Sequence, residues 1–505
     1  MNQNDPSQPG GSPYPGNTAP DQALQDGQAP QQQTTAAPTK PKSKTPTIVA
    51  GVLALALLVG GGIFAWSLLR GAAPAAAKGL PKDTLAMVEV NLNPAAGDKL
   101  AVKDLAAKFP ILADDMKTAG DDYKAALYNA LKQRDTSMPD YEAEVKPWLG
   151  DSIALGAIQE GKDGDTNFQP VLSFQVTDKD KAKQFVDKHM SSRTKTFFVD
   201  DLMIVTSEQS NLSEESLKNG NLTSNEKYKA DMDKLGQGFL ATAWVSDDLV
   251  KETVKAQHID LPKSMNFRAA AGIKVEDGAL ALRTIGWSES TFSKSGEKAA
   301  DLMSGMPGDW FGSLSTAVQS DAVDKLWEGL QEDRNSRVAD SLQQLGITSA
   351  DDLRALLGKQ VGVSMVIDQN QPKVALKVRT DDPETHKAKI EDVIKRASNG
   401  SATGIETTVQ GDLVVTTFGI DSDELGSLPK LGDNEAYKKA AKDAGDAQAI
   451  LWADVPKILD MIEAQNPNAF SPEVKENLAP INGVSMTTKQ VDDHYSDMWV
   501  RVTTK

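Results

Sequence analysis

The chain has 505 residues, no cysteine and a formal net charge of −17 at pH 7. The lack of cysteine excludes disulfides, thiolate catalysis and cysteine-ligated zinc or iron–sulfur sites. A surface this acidic repels a phosphate backbone, so nucleic acid is not an expected partner. The length exceeds that of one ordinary domain, and several segments are therefore expected.

The first segment, residues 1–46, is rich in Pro, Gln, Gly, Ser and Thr. Such a composition cannot bury enough apolar surface to offset the entropy that is lost on folding. Its three aspartates and three lysines cancel, so the whole net charge of −17 belongs to the residues after it. We therefore predict that residues 1–46 form a disordered, cytoplasmic tail.

The second segment, Thr47–Leu69, has no charged residue. As a helix it would reach roughly 34 Å, which is enough to cross the hydrocarbon core of a membrane. A cleaved signal peptide is the alternative, because small residues at Ala72–Gly79 could be cut by a peptidase. The long leader and the long apolar run favour a retained transmembrane helix.

Lysines at positions 40, 42 and 44 precede the apolar run. The positive-inside rule then predicts a single-pass membrane protein with a cytoplasmic N-terminus and an extracytoplasmic C-terminal part. The Ala-rich residues 70–79 are interpreted as a tether between the membrane and the folded part.

Two short phrases in the remaining chain are alike: "WLGDSIALGAI" begins at Trp148 and "LLGKQVGVSMVI" begins at Leu356. Gly150 lies 94 residues before Trp244 (244 − 150), and Gly358 lies 94 residues before Trp452 (452 − 358). Several other segments match in the same order, including the two strand–turn–strand patterns "FFVDDLMIVTS" and "TTVQGDLVVTTF". This spacing indicates an internal duplication, with repeat 1 at 80–290 and repeat 2 at 305–505.

The repeated phrase has the alternation of a β-strand. Ile153, Leu155 and Ala157 fall on one side, and we expect this bulky side to face the core. The other side of the strand carries small side chains, so another segment of the chain can approach it closely. The preceding Leu-Gly pair predicts a turn in which Gly150 and Gly358 have positive φ angles.

No catalytic, cofactor-binding or metal-ligating residue is singled out by the sequence. The four histidines (189, 258, 386 and 494) are scattered and form no metal-binding motif. Lys162–Asn167 resembles the start of a calcium loop, but Phe168 replaces the glycine that its turn needs. We interpret this segment as a hairpin turn.

The "LPKDTLAMVEVNL" segment at Leu80–Leu92, the "VKPWLGDSIALGAI" phrase and the preceding apolar run together resemble a known group. This is the bacterial, mainly actinobacterial, family of domain of unknown function 3352, and the resemblance covers about residues 78–505. It implies a membrane-anchored, envelope-exposed domain in a Gram-positive type of cell. It implies no activity, substrate or catalytic residue.

We therefore predict an α+β fold with two homologous repeats, each a mainly antiparallel sheet with helices on one face, after a disordered tail and one transmembrane helix. The expected function is a non-enzymatic binding or envelope-associated role, with the membrane and an unknown extracytoplasmic ligand or protein as partners. The alternative is an extracytoplasmic, hydrolase-like enzyme that uses carboxylates without a recognisable motif. A hydrophobic cleft would favour the first function, and a cluster of buried acids would favour the second.

Overall fold

The computed structural model of the chain describes residues 75–112, 122–132, 135–159, 168–190, 192–256, 266–291, 296–332, 337–368, 371–401 and 403–505. The predicted tail and membrane span lie outside these residues, and so does the calcium-like segment Lys162–Asn167. The last residues assigned to the tether, Ala76–Gly79, form a short 3-10 turn whose Ala76, Ala77 and Gly79 are buried. The folded part of the chain thus includes this turn.

Sixteen strands of the described residues form one antiparallel sheet. In chain order they are β1 (Ala86–Asn91), β2 (Leu149–Gln159), β3 (Phe168–Val176), β4 (Thr194–Val199), β5 (Leu202–Ser207), β6 (Ala241–Val245), β7 (Phe267–Glu276), β8 (Ala279–Ser288), β9 (Gly312–Ala317), β10 (Gln360–Asp368), β11 (Gln371–Arg379), β12 (Ile405–Gln410), β13 (Leu413–Phe418), β14 (Ala449–Asp454), β15 (Ile481–Gln490) and β16 (Tyr495–Thr504).

The strand order is symmetric about the centre of the sheet. Strands β8 and β16 pair there, with Arg283 opposite Trp499. Outward from this pair, the first half of the chain runs β7, β6, β1, β2, β3, β5, β4, and the second runs β15, β14, β9, β10, β11, β13, β12. Every strand of the first half thus has a counterpart eight strands later, and the halves meet at equivalent strands.

The predicted fold class is wrong. The sequence predicts a separate sheet for each repeat, whereas β8 and β16 join all sixteen strands into one sheet. Edge strands have unpaired N–H and C=O groups, and pairing two equivalent edges removes this exposed backbone from the middle of the molecule. Strand alternation shows where a strand begins and ends, but it does not show which strand lies beside it.

The predicted membrane-spanning helix is not among the helices of the described residues. No helix among the described residues is long and apolar enough to cross a membrane. The segment to which the prediction refers, 47–69, is not among those residues.

The helices of the described residues lie between the strands. They are α1 (Ala96–Ala106), α2 (Tyr123–Lys132), α3 (Lys179–His189), α4 (Glu214–Asn219), α5 (Glu226–Leu235), α6 (Asp247–Ala256), α7 (Ala299–Met303), α8 (Ser320–Glu332), α9 (Arg337–Gln344), α10 (Ala350–Leu357), α11 (Pro383–Ala397), α12 (Ser422–Ser427), α13 (Glu435–Ala440), α14 (Val455–Gln465) and α15 (Pro472–Leu478). Short 3-10 turns occur at Leu222–Ser224 and Leu431–Asp433, and a π-type turn occurs at Tyr141–Val145.

Helices cover both faces of the sheet, not one. In the first half, one cluster packs α4, α5 and the 3-10 turn Ala76–Gly79 against Met87, Ala154 and Ile204. A second cluster packs α2, α3 and the π-type turn against Val90 and Val205 on the opposite side of the same strands. The sheet is therefore the middle layer of three.

Local sequence signals account for much of this pattern. Asp178 and Asp382 occupy equivalent positions before α3 and α11, and each side chain accepts hydrogen bonds from the first turn of its helix. The two predicted strand–turn–strand segments form the hairpins β4–β5 and β12–β13. Asp200 and Gly411 have positive φ angles at their turns, as a tight hairpin requires.

The predicted turn glycines differ from each other. Gly358 ends α10 with a φ of 61°, which confirms the prediction for the second half. Gly150 lies inside β2 and is absent from the described glycines with positive φ, so the prediction for the first half is wrong. A Cβ at Gly150 would nevertheless lie 2.7 Å from the Gln175 carbonyl oxygen, and one at Gly358 would lie 2.5 Å from that of Arg379.

Candidate binding surface

The two faces of the sheet differ sharply in polarity. We call the side that carries Val88, Leu155, Leu282, Val500 and Leu314 the apolar face, and the opposite side the charged face. Among the strand residues, Asp151 is the one charged residue on the apolar face. The charged residues on the charged face are Glu89, Lys195, Arg268, Lys274, Glu276, Arg283, Asp368, Lys373, Lys377, Arg379, Glu406, Asp454, Lys489, Asp497 and Arg501.

A continuous apolar row crosses fourteen strands of the apolar face. From one side of the sheet to the other it contains Phe198, Met203, Phe174, Ile153, Val90, Ala241, Ile273, Leu282, Val500, Met486, Leu451, Leu314, Val363 and Leu376. At about 4.8 Å between strands, this row is roughly 60 Å long. It runs through both halves of the chain because β8 and β16 pair.

Large apolar side chains are exposed on this face. Leu155 is 47% exposed, Met365 is 45% exposed and Leu314 is 39% exposed. Phe168, Ile405 and Phe418 on the same face are also exposed. Together these six are the exposed large apolar residues of the described strands, and all of them lie on one face.

The predicted orientation of the repeated phrase is therefore wrong in one respect and right in another. Leu155 was expected to face the core, but it is exposed on the apolar face. The small side is the one that packs tightly: a Cβ at Gly156 would lie 2.9 Å from Leu80, and one at Gly362 would lie 3.0 Å from Leu302. The predicted close approach over the small residues is confirmed.

Equivalent exposed patches occur in both halves. Leu155 pairs with Val88 in the first half, and Val363 pairs with Leu314 in the second. Leu155 and Val363 are matching positions of the repeated phrase, so Val88 and Leu314 correspond as well. Each half thus places an apolar patch at the same position, on the same face.

Helices flank these patches. In the first half, α2, α3 and the π-type turn pack on the apolar face through Trp148, Ala182 and Leu127. In the second half, α10 and α11 pack on it through Leu356, Ile390 and other residues, against Val361 and Val414. Helices therefore pack on the same face of the sheet as the exposed apolar side chains.

The charged face holds a buried network at the junction of the halves. Asp231 on α5 accepts hydrogen bonds from Trp244 Nε1 at 2.8 Å, from Arg268 Nε at 2.8 Å and from the Tyr495 hydroxyl at 2.9 Å. Arg268 also lies over the Trp287 ring, 3.9 Å from its centroid. Since Tyr495 belongs to β16, the network ties the second half to the first.

A second buried acid, Glu89, lies on β1. Its side chain is 3% exposed, and Oε1 accepts a hydrogen bond from Ala77 N at 2.9 Å. Burial raises the pKa of Glu89 to about 7, while the backbone N–H groups of Ala77 and Ala76 and the charge of Lys78 lower it. The carboxyl group is thus used to hold the turn Ala76–Gly79 on the sheet.

One cavity of about 500 Å³ lies on the charged face of the first half. Its lining includes Lys82, Thr84 and Leu85 before β1, together with Asn225, Trp244 and Asp248. Its polar groups come from the segment before β1 and from the starts of α5 and α6, and Asn225 Oδ1 caps α5. Its volume lies within the usual range of small-molecule sites, and one of its polar side chains, Asn225, is engaged in capping α5.

The histidines do not come together. His189 Nε2 lies 2.9 Å from a Glu144 carboxylate oxygen, and His494 Nδ1 lies 3.0 Å from the Ser288 carbonyl oxygen. His386 is 3% exposed, and burial lowers its pKa. His258 is outside the described residues. In the part of the chain that the structure describes, no group of three His, Asp or Glu residues is placed to hold a metal ion.

Comparison with known proteins gives one match. Residues 47–203 are similar to the family described as Protein of unknown function (DUF3352). This supports the domain of unknown function 3352. The match covers less of the chain than the sequence resemblance suggests, because it ends before the second half begins. No curated protein and no solved structure matches the chain.

The apolar face could have been found from sequence only in part. The alternation in β2 and β10 shows one bulky side, but an inward and an outward apolar side have the same alternation. The side with small residues identifies the packed side of each strand, because Leu80 packs closely over Gly156 and Leu302 packs closely over Gly362. Glycine on one side of a strand is thus the usable signal for the packed side.

Proposed function

We propose that this chain is a non-enzymatic binding protein whose apolar face holds an apolar ligand or partner. The observation that supports this most directly is the exposure of large apolar side chains, in both halves, on the face whose strands carry Asp151 as their one charged residue. Soluble surfaces seldom keep such side chains together unless something binds there.

The experiment is a titration of the full chain with the dye anilinonaphthalene sulfonate. We expect strong fluorescence that falls in Leu155→Gln and in Leu314→Gln, because each variant puts an amide at the centre of one patch. Val491→Gln is the matched control, since Val491 is 36% exposed and lies outside the strands. Equal fluorescence from the parent and the double variant Leu155→Gln/Leu314→Gln would contradict the proposal.

The location that accompanies this function is the outer side of the cell membrane, with the N-terminus inside. It is supported by the uncharged residues 47–69 and the lysines that precede them. Protease added to cells without their wall should digest the chain after Gly79 and leave the leader protected. Protection of the C-terminal part would contradict this location.

The alternative, an extracytoplasmic enzyme, has no specific observation in its favour. Asp231 is fully engaged by Trp244, Arg268 and Tyr495. Glu89 has the raised pKa that a general acid needs, but its carboxyl group lies under Ala76 and Ala77. We therefore give these acids structural roles.

A further inference from the structure

We propose that the second half contains an acid-sensitive contact, in which protonation of His386 weakens the packing of α10 against α11. The equivalent contact of the first half is built from different residues and persists at acid pH. The proposal concerns the fold itself and does not depend on the proposed binding function.

His386 lies where the two helices meet. It is one of the two buried residues of α11, and the other is Ile390. The ring hydrogen-bonds to the backbone of Ala355 on α10. Its Nε2 is buried and has no hydrogen-bond partner among the described residues. An imidazolium has two N–H donors, so protonation places a second donor in a buried position that offers it no acceptor.

Helix α10 is weakly held apart from this contact. It has eight residues, and none of them is buried. Its Leu356 packs against the cluster formed by Val378, Ile390 and Val414 on the apolar face. A helix this short has little stability of its own and depends on its packing. Opening of α10 therefore costs less than the opening of a core element, and a change at His386 acts on it first.

The charged groups around the ring do not stabilise an imidazolium. Lys389 is the charged group that acts on His386, and its like charge disfavours protonation. On α10, Arg354 is paired with Asp351 and with Asp324 of α8. The strands under α11 add no charge, because their charged residues lie on the opposite face. The charged residues of α10 and α11 are Asp351, Asp352, Arg354, Glu384, Lys387, Lys389, Glu391, Asp392, Lys395 and Arg396.

The first half has an alanine at the equivalent helix position. Ala182 lies four residues after the cap Asp178, as His386 lies four residues after the cap Asp382. Ala182 is 0% exposed and packs in the same cluster as Trp148, the counterpart of Leu356. A large tryptophan with a small alanine is thus replaced in the second half by a smaller leucine with a histidine.

The histidine of α3 has a different partner. His189 Nε2 lies 2.9 Å from a Glu144 carboxylate oxygen on the π-type turn, and Lys188 also binds Glu144. The hydrogen bond from Lys188 holds the pKa of Glu144 below its usual range. Protonation of His189 places a cation beside a carboxylate and does not break this contact. The two halves therefore respond to acid in different ways.

The direction of the pH dependence follows from burial. Burial lowers the pKa of His386, and this effect outweighs the hydrogen bond to Ala355, which raises it. The folded state thus binds the proton less tightly than the unfolded state does. The stability that His386 contributes is full above the unfolded pKa of 6.5 and is lost as pH falls through the lower folded pKa.

The test is hydrogen–deuterium exchange of the full chain at pH 7.5 and pH 5, with exchange expressed as protection factors that correct for the intrinsic effect of pH. We expect the protection of α10 to fall by about threefold or more at pH 5. The fall should be absent in His386→Gln, whose amide does not titrate. His189→Gln is the matched control from the first half, and its α10 should respond like that of the parent.

Unchanged protection of α10 in the parent between the two pH values overturns the proposal. A fall of equal size in His386→Gln overturns it as well, because general acid destabilisation then accounts for the opening. If His386→Gln melts early at pH 7.5, His386→Leu replaces it. Titration of the His386 ring by NMR in the parent provides a measurement without substitution: a midpoint below 6.5 is expected, and a midpoint at or above 6.5 contradicts the proposal.

Discussion

Two equivalent buried tryptophans, one in each half, differ in their hydrogen bonding. Trp244 and Trp452 are equivalent and each is 1% exposed. Trp244 Nε1 donates to Asp231, whereas Trp452 Nε1 has no hydrogen-bond partner among the described residues. The helix position that holds Asp231 in the first half holds Ala440 in the second.

The partner strand shows the compensating change. Arg268, which binds Asp231, corresponds by strand pairing to Gly483 in the second half. A Cβ at Gly483 would lie 2.1 Å from the Trp452 ring, so the ring occupies the space of the arginine. One half is thus held by a charged network and the other by close packing. The network is kept where Tyr495 of β16 can join it, at the junction of the halves.

The largest expected effect comes from breaking the network. Asp231→Ala should destabilise the protein by about 3–5 kcal/mol, because it leaves the buried Arg268 without its carboxylate and Trp244 Nε1 without an acceptor. Chemical denaturation measures the loss. Asp233→Ala, on the exposed side of the same helix, is the control and should change stability by less than about 0.5 kcal/mol. Similar losses in the two variants would show that the network does not hold the halves together.

The second comparison is Glu89 with Ser315, its counterpart on β9. Burial raises the pKa of Glu89 to about 7, so the folded state binds its proton more tightly than the unfolded state does. Stability from this group is therefore full below the unfolded pKa near 4.5 and falls as pH rises to about 7. Glu89→Gln should remove this fall and gain on the order of 2 kcal/mol at pH 8.

Denaturation of both proteins between pH 4.5 and pH 8 provides the measurement. Ser315→Ala is the control from the second half, because Ser315 Oγ donates to the Ala299 carbonyl oxygen and does not titrate in this range. It should leave the pH dependence of the parent unchanged. A parent and a Glu89→Gln variant with parallel pH profiles would contradict the role given to this carboxyl group.

The third comparison concerns the two glycines of the repeated phrase. Gly150→Val and Gly358→Val should each cost on the order of 1–3 kcal/mol, since each Cβ meets a carbonyl oxygen. Gly358 should be the more sensitive because it also has a φ of 61°. Gly426→Ala, with nothing within 4 Å of its Cβ, is the control and should be neutral or stabilising. Melting of either valine variant at the parent temperature would show that the strand can shift.

The sequence predicts local structure well and the joining of the halves poorly. The hairpin turns at Asp200 and Gly411 and the helix cap at Asp382 follow from residues that are close in sequence. The pairing of β8 with β16 depends on two edges more than 200 residues apart, and no local pattern indicates it. The bounds of the repeats, 80–290 and 305–505, stay predictions, although the two halves have the same strand order.

The candidate surface was hidden for a related reason. Apolar residues on a strand indicate burial in most proteins, and the sequence therefore predicts a buried Leu155. The structure exposes Leu155, while the opposite side of β2, with Ser152, Ala154 and Gly156, packs against the turn Ala76–Gly79 and helices. Either side of a strand can face a packed layer, and in β2 the side with small residues allows the closer packing.

The most direct test uses the absence of cysteine from the chain. Leu155→Cys, Leu314→Cys and, as control, Val491→Cys are made in the full chain, and their reaction with a maleimide is timed with and without anilinonaphthalene sulfonate. We predict that all three react in the free protein and that the dye slows the reaction at positions 155 and 314 only. Unreactive thiols at 155 and 314 in the free protein, or equal rates with and without the dye, would contradict an exposed apolar face that binds apolar ligands in both halves.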